Sequence, residues 1–327
     1  MKMITDYKKL LLVSAVFILF CVCALGYNYI NTGQIVEKSI DFNGGTIASV
    51  IINNSDFDMG AIEYAANDNL DDVVVRTASG NYDTSIIFES ENIITQDDIT
   101  DILDSSGTEY DADDISIQTV GAALGKEFMR EAMFAIAIAF VLMGAIIFLT
   151  FKSVVPSVAI ISAAAVDIIF AMALMTIFNI KLSLGTFAAL LLLIGYSVDT
   201  DILLTTRLLK RKSEGTLDER IASAMKTGIT MTTSAIVAFG VLFCISTSSM
   251  LDQIALVIIF GLLADYVTTW FQNVGLLKWH LKKEEKEDEE NTEEIKKPKF
   301  VRKKSAKTEN RKNWAKKKKQ RKKGNKR

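Results

Sequence analysis

Apolar residues come in six long runs along this chain, at about 10–29, 132–151, 154–178, 183–206, 229–248 and 253–277. Each is close to the roughly 20 residues a helix needs to cross a bilayer core. Only Pro156 and Pro298 occur, and Pro156 falls in the first turn of the third run, where a missing N–H costs little. Six transmembrane helices are therefore expected. Between the first and second runs the period shortens. "TIASVIIN" (46–53), "DVVVRTA" (72–78), "TSIIFES" (84–90) and "DISIQTV" (114–120) read as strands. "SGNYD" (79–83) is a turn. "DFDMGAIEYAAN" (56–67) has Met59, Ile62 and Ala66 at helical spacing, and "TQDDITDIL" (95–103) opens on a threonine cap with acids in its first turn. The order βαββαβ fits a ferredoxin-like sandwich. The expected fold is an α-helical membrane protein with a small α+β ferredoxin-like domain between its first two helices. Four segments follow: an anchor over 1–30, the small domain over 31–125, a five-helix bundle over 126–280, and a charged tail over 281–327.

The first run is longer than the apolar core of a signal peptide and is followed by no A-x-A cleavage site, so it reads as an uncleaved anchor. Charge then orients the spans. Lys2, Lys8 and Lys9 precede the first, Lys152 joins the second and third, and Arg207, Lys210, Arg211, Lys212, Arg220 and Lys226 lie between the fourth and fifth. The alternate loops carry only Lys181. The positive-inside rule places both termini in the cytoplasm and the small domain outside the cell membrane. The net charge of −2 hides a separation. From Glu37 to Asp114 there are 19 acids against two bases, and from Lys282 to Arg327 there are 21 bases against nine acids. The tail reads as disordered. Its basic part, 296–327, is expected either to be simply solvated or to bind ribosomal RNA or anionic lipid headgroups, at about 1 kcal/mol per basic residue near the membrane.

Several chemistries are excluded or disfavoured. Cys21, Cys23 and Cys244 all fall in spans and read as small buried hydrophobes. A single histidine, His280, excludes most zinc sites and His-based catalysis. "GAALGK" (121–126) lacks the spacing and the Ser or Thr of a P-loop, so no nucleotide site is expected. Asn53-Asn54-Ser55 is a weak glycosylation sequon. No cofactor or metal is expected.

What remains is a set of acids inside the spans: Asp167, Asp199, Asp201 and Asp265. Each costs about 2.5–3.5 kcal/mol at mid-bilayer on insertion scales, which argues for function. Asp199 and Asp201 are about 200° apart around their helix, so they cannot share a site. Ser197, Asp201 and Thr205 form one stripe at i, i+4 spacing. Either acid can face an interior site while the other faces a partner subunit or the cytoplasmic interface. The fifth span offers hydroxyls at Thr227, Thr230, Thr232, Thr233 and Ser234. Two readings stand: a proton-responsive cluster, with Arg207 at its cytoplasmic edge, or hydrogen-bonding glue between helices, with Arg207 snorkelling to the cytoplasm.

A set of motifs in order then resembles one family. "DFNGGT" (41–46), with Asp41, Gly44, Gly45 and Thr46, is similar to the opening of the outer domain in SecF, the six-span accessory subunit of the protein-secretion machinery. "VGAALGKEFMREA" (120–132), "GYSVDTDILLTTRLLKR" (195–211) and "KTGITMTTS" (226–234) resemble later segments of that family. Asp167 falls where the family has an acid in its third span. The sequence departs from bacterial members, which read Asn-Asp-Thr after Gly-Tyr-Ser-Val; "SVDTD" and Asp265 resemble the archaeal-type branch. The resemblance implies a SecD-like partner in a twelve-span RND-type assembly, a SecYEG-type translocon, an unfolded translocating polypeptide, and use of the proton gradient, with Asp167 and Arg207 matching positions tied to proton coupling. Half of an RND-type small-molecule exporter is the alternative. An intramembrane aspartyl protease using Asp167 and Asp199 would require Gly-x-Gly-Asp, and this chain has Ser-Val-Asp. The chain is not expected to be an enzyme.

Overall fold

The computed structural model describes residues 7–52, 57–70, 73–79, 84–211, 213–246 and 248–283. The sequon, most of the 79–83 turn and the basic part of the tail lie outside these. The first of two units, ending at Leu277, holds the architecture below. Helix α1 is Tyr7–Thr32, followed by the short α2 (Ile40–Asn43) and strand β1 (Gly45–Ile52). Then come α3 (Met59–Asn69), β2 (Val73–Ser79), β3 (Thr84–Ser90), α4 (Gln96–Ser106) and β4 (Ile115–Val120). The long helices α5 (Ala122–Phe151), α6 (Val154–Ile177), α7 (Leu184–Leu209), α8 (Leu217–Ile245) and α9 (Ser249–Val267) follow. At Thr268–Asn273 the last helix widens into a π-helical turn. Six helices are long and apolar enough to cross a membrane, the last of them over Met250–Lys283.

Two helices start earlier than hydropathy predicts. α5 begins at Ala122, ten residues before the apolar run, and α8 begins at Leu217 on a capping box between Thr216 and Glu219. Hydropathy locates contact with lipid, whereas helix ends are located by caps. In the bundle α6, α7 and α9 are central, with 56%, 56% and 61% of their apolar windows buried. α1, α5 and α8 surround them, at 17%, 17% and 11%. The core joins Ile160, Ala164 and Ala171 of α6 to Leu193 of α7 and Val257 and Ile258 of α9. α7 and α9 approach so closely that a Cβ on Gly261 would lie 2.1 Å from Leu193 Cδ2.

The four strands form one antiparallel sheet in the order β2-β3-β1-β4. Alternation along β1 turns Ala48, Val50 and Ile52 to one face. These pack with Ile86 and Phe88 of β3 against Ile62 and Ala66 of α3 and Ile99, Ile102 and Leu103 of α4. Fully burying such a side chain contributes about 1.5–3 kcal/mol. Thr95 caps α4 through a reciprocal bond with Asp98, and Gly107 closes the helix at φ +69°.

The Asp41–Thr46 motif lies where the sheet meets the bundle. Ser39 N–H donates to Leu182 O at 2.8 Å, and Leu182 N–H donates to Glu37 O at 2.7 Å. Asp41 Oδ2 accepts from Leu184 N–H at the start of α7. Gly44 has φ +83°, and a Cβ there would lie 2.5 Å from Ala122 Cα; Gly45 has φ +135°, and its Cβ would lie 2.4 Å from Ser90 O. Only glycine meets both demands. Thr46 is buried and pairs with Thr119 across the sheet at 3.2 Å. Lys181 completes the junction with an ion pair to Glu89 of β3, 2.8 Å.

Candidate functional site

Three acids meet among the central helices: Asp167 from α6, Asp201 from α7 and Asp265 from α9, all fully buried. No cation pairs with any of them among the described residues. Their partners are hydroxyls. Asp167 accepts from Thr268 Oγ1 at 2.7 Å through Oδ1 and from Ser197 Oγ through Oδ2. Asp265 accepts from Thr232 Oγ1 of α8 at 3.1 Å. Thr269 Oγ1 lies 2.8 Å from Asp201 Oδ1 and also 2.8 Å from Asp265 Oδ1.

The last geometry carries chemical information. A hydroxyl has one proton to donate. Thr269 can donate to one of the two carboxyls, and its contact with the other is a hydrogen bond only when that carboxyl itself carries a proton. Thr269 thus joins the Asp201 carboxyl of α7 to the Asp265 carboxyl of α9 through one hydroxyl. Thr268 and Thr269 belong to the π-helical turn, where i→i+5 bonding replaces i→i+4, a feature frequent at functional sites. A second polar layer surrounds it: Ser14 of α1 donates to Gln272 Oε1 at 3.0 Å, and Gln272 Nε2 donates to Ser162 of α6 at 3.0 Å.

Asp199 is not in the cluster. It is exposed on the opposite side of α7 and lines a groove of about 590 Å³ with Tyr196, Lys226, Thr230 and Met231. This separates it from Asp167 and removes the geometry of a paired-aspartate protease. Arg207 reaches neither the acids nor a free position: it donates to Ser223 and, at 3.3 Å, to Thr227, both on α8. Of the supporting hydroxyls, Ser197 and Thr232 bond to the acids. Thr205 is buried with its hydroxyl unpartnered, and Thr233 turns to Ile229 O and Tyr266. Thr268, Thr269, Gln272 and Asn273 escape the sequence reading. Their signal was the spacing of Thr268 and Thr269 three and four residues after Asp265, the i+3 and i+4 positions that share its helix face. Among the described residues no group of three or more His, Cys, Asp or Glu is placed to hold a metal.

The family described as "Protein export membrane protein SecD/SecF, C-terminal" matches residues 99–283. A protein-export membrane protein SecF of Methanolacinia petrolearia is 38% identical over 279 residues, covering 84% of this chain and 94% of the relative. The SecF of Methanothermobacter thermautotrophicus is 36% identical, over 86% and 94%. Among solved structures, SecDF of Thermus thermophilus, titled a translocon-associated membrane protein, superposes with a TM-score of 0.62 at 19% identity. The match covers 83% of this chain and only 37% of the SecDF chain. With a family match over more than half its length and relatives above 30% identity along most of it, this chain belongs to the SecD/SecF family of protein-export membrane proteins, on its SecF branch.

Proposed function

We propose that the Asp167–Asp201–Asp265 cluster is the proton-exchange site through which this subunit supports export. The observation that carries the reading is the single Thr269 hydroxyl facing two buried carboxyls. Gain or loss of one proton changes which helix Thr269 binds, and so changes the contact between α7 and α9. α7 begins at the junction with the sheet, so a shift of this helix reaches the small domain through Asp41 and Lys181.

On this reading the four-stranded domain is ferredoxin-like and stands outside the cell membrane, with both termini in the cytoplasm. The strand order and pairing support the first part, and the distribution of Lys and Arg supports the second. A SecD-like subunit covers the α7–α8 groove that holds Asp199, beside a SecYEG-type translocon and the translocating chain. The sparse burial of α8 supports that assignment. The basic tail contacts the ribosome or anionic lipid.

The test is SecD-dependent export into membrane vesicles, with and without a proton gradient, for wild type and Asp167→Asn. Loss of the gradient-dependent rate in the variant, at normal membrane level, is expected. A wild-type rate in the variant rejects the proton role.

A further inference from the structure

The cluster has one loose end, and it points to a residue that the contacts above leave unused. Asp201 Oδ2 is buried with no hydrogen-bond partner. Beside it lies Asn273, wholly buried, with neither its amide nitrogen nor its amide oxygen bonded. Asn273 stands at the end of the π-helical segment, four residues after Thr269, whose hydroxyl contacts Asp201, so the turn brings its amide to the Asp201 carboxyl. An orphaned carboxyl oxygen and an orphaned amide side by side in a dry interior are each costly, since an unmet buried polar group forfeits about 1–3 kcal/mol. They meet there because of the wide turn. In an α-helix, residues Asp265, Thr269 and Asn273 would drift about 80° around the axis over eight positions; the π-turn takes up part of that drift and keeps all three toward α7.

We infer that Asn273 is a positioning residue for Asp201, an amide that can satisfy either form of the acid. Nδ2 donates to the ionised carboxylate, and Oδ1 accepts from the protonated acid. The amide turns over and exchanges no proton itself. A threonine or serine hydroxyl also does both, but Thr269 is already divided between Asp201 and Asp265. The inference rests on the proton-exchange reading above. The titratable groups near Asp201 are Asp265 on α9 and Asp167 on α6, with Cys21 of α1 on the Asp167 side. α8 presents the Thr232 hydroxyl to the cluster, and Lys226 and Asp199 line the groove on the other side of α7.

The experiment compares Asn273→Ala with Asn273→Ser in the full chain, expressed with its SecD-like partner. Both variants remove the amide and leave similar space, so they differ by one hydroxyl that can donate or accept. Gradient-driven export is measured from pH 5 to 9 in membrane vesicles. Asn273→Ala is expected to move the midpoint of the pH profile by about one unit, a tenfold change in proton affinity, and Asn273→Ser to stay close to wild type. Identical profiles for the two variants overturn the inference. If Asn273→Ala does not accumulate, the infrared band of the protonated carboxyl that disappears in Asp201→Asn is followed in purified Asn273→Leu, which keeps the volume of the amide and has no group that donates or accepts. A band at the wild-type frequency overturns the inference, and a displaced band supports it. Asp201→Asn is run beside both. If it keeps gradient-dependent export, the proton-exchange reading fails; if it loses export while Asn273→Ala keeps the wild-type profile, only the role of Asn273 fails.

Discussion

The Asp41 carboxylate accepts a hydrogen bond from the Leu184 backbone N–H at 2.9 Å, across 143 positions of sequence. The bond satisfies one of the free N–H groups at the start of α7 and places a negative charge at the positive end of the helix. Ser183, the N-cap, satisfies a second through Thr186. Asp41 thereby fastens the lead-in to β1 onto the helix that carries Ser197 and Asp201. Asp41→Ala is expected to lower stability by about 1 kcal/mol, the usual cost of a lost cap, with Asp41→Asn intermediate. Thermal unfolding of the detergent-solubilised protein measures this, and equal melting of Asp41→Ala and wild type would sink the capping role.

The glycines beside Asp41 make a sharper prediction. A Cβ on Gly44 would collide with the backbone of Ala122, and one on Gly45 with the carbonyl of Ser90, both at positive φ. Left-handed strain of about 1–2 kcal/mol adds to overpacking of about 1–3 kcal/mol. Gly44→Ala and Gly45→Ala should each cut the amount of folded protein several-fold. Gly195→Ala, where nothing lies within 4 Å of the new methyl, should not. Quantitative blotting of membranes checks the three together, and loss at Gly195 alone would contradict the steric account.

How far these features could be read from the sequence differs by element. The spans were legible because lipid imposes length and apolarity on every one of them. The separation of Asp199 from Asp201 was legible too, since it needs only helical geometry. The choice between them was not, because nothing in "SVDTD" says which face of α7 meets α6 and α9. The i+3 and i+4 spacing of Thr268 and Thr269 after Asp265 was visible, but the π-turn was not. A helix widens when tertiary contacts favour it, and here those contacts come from α1, α6 and α7. Arg207 shows the same limit: its place near a helix end was legible, but its hydrogen bonds to Ser223 and Thr227 were not, because they depend on how α7 and α8 pack.

The small domain offers a test by pH. The Thr95 hydroxyl and backbone N–H hold the Asp98 carboxyl below its ordinary value. A carboxylate depressed in the folded state adds stability that is complete above its unfolded value, about 3.9, and is lost as pH falls through the lower folded value. At neutral pH Thr95→Ala should cost about 1 kcal/mol. The gap between wild type and variant should narrow as the pH drops below about 4. Urea unfolding followed by a probe in the small domain gives the two curves; a gap that is constant with pH would remove Asp98 from the cap.

Asp199 and Asp201 should fail in opposite ways. Asp201 is enclosed by α6 and α9 and bonds to Thr269, so Asp201→Asn keeps the volume and the hydroxyl contact while removing the exchangeable proton. Its membrane level and its co-purification with a SecD-like subunit should match wild type, while gradient-driven export falls at least tenfold. Asp199 lies with Lys226 in the open groove between α7 and α8, where a partner subunit has room to bind. Asp199→Leu should therefore leave the isolated subunit as stable as wild type and reduce the SecD-like subunit retained on affinity purification several-fold. Measuring both readouts on both variants separates a site from an interface. If Asp201→Asn loses the partner while Asp199→Leu keeps it, the two faces of α7 have been assigned the wrong way round.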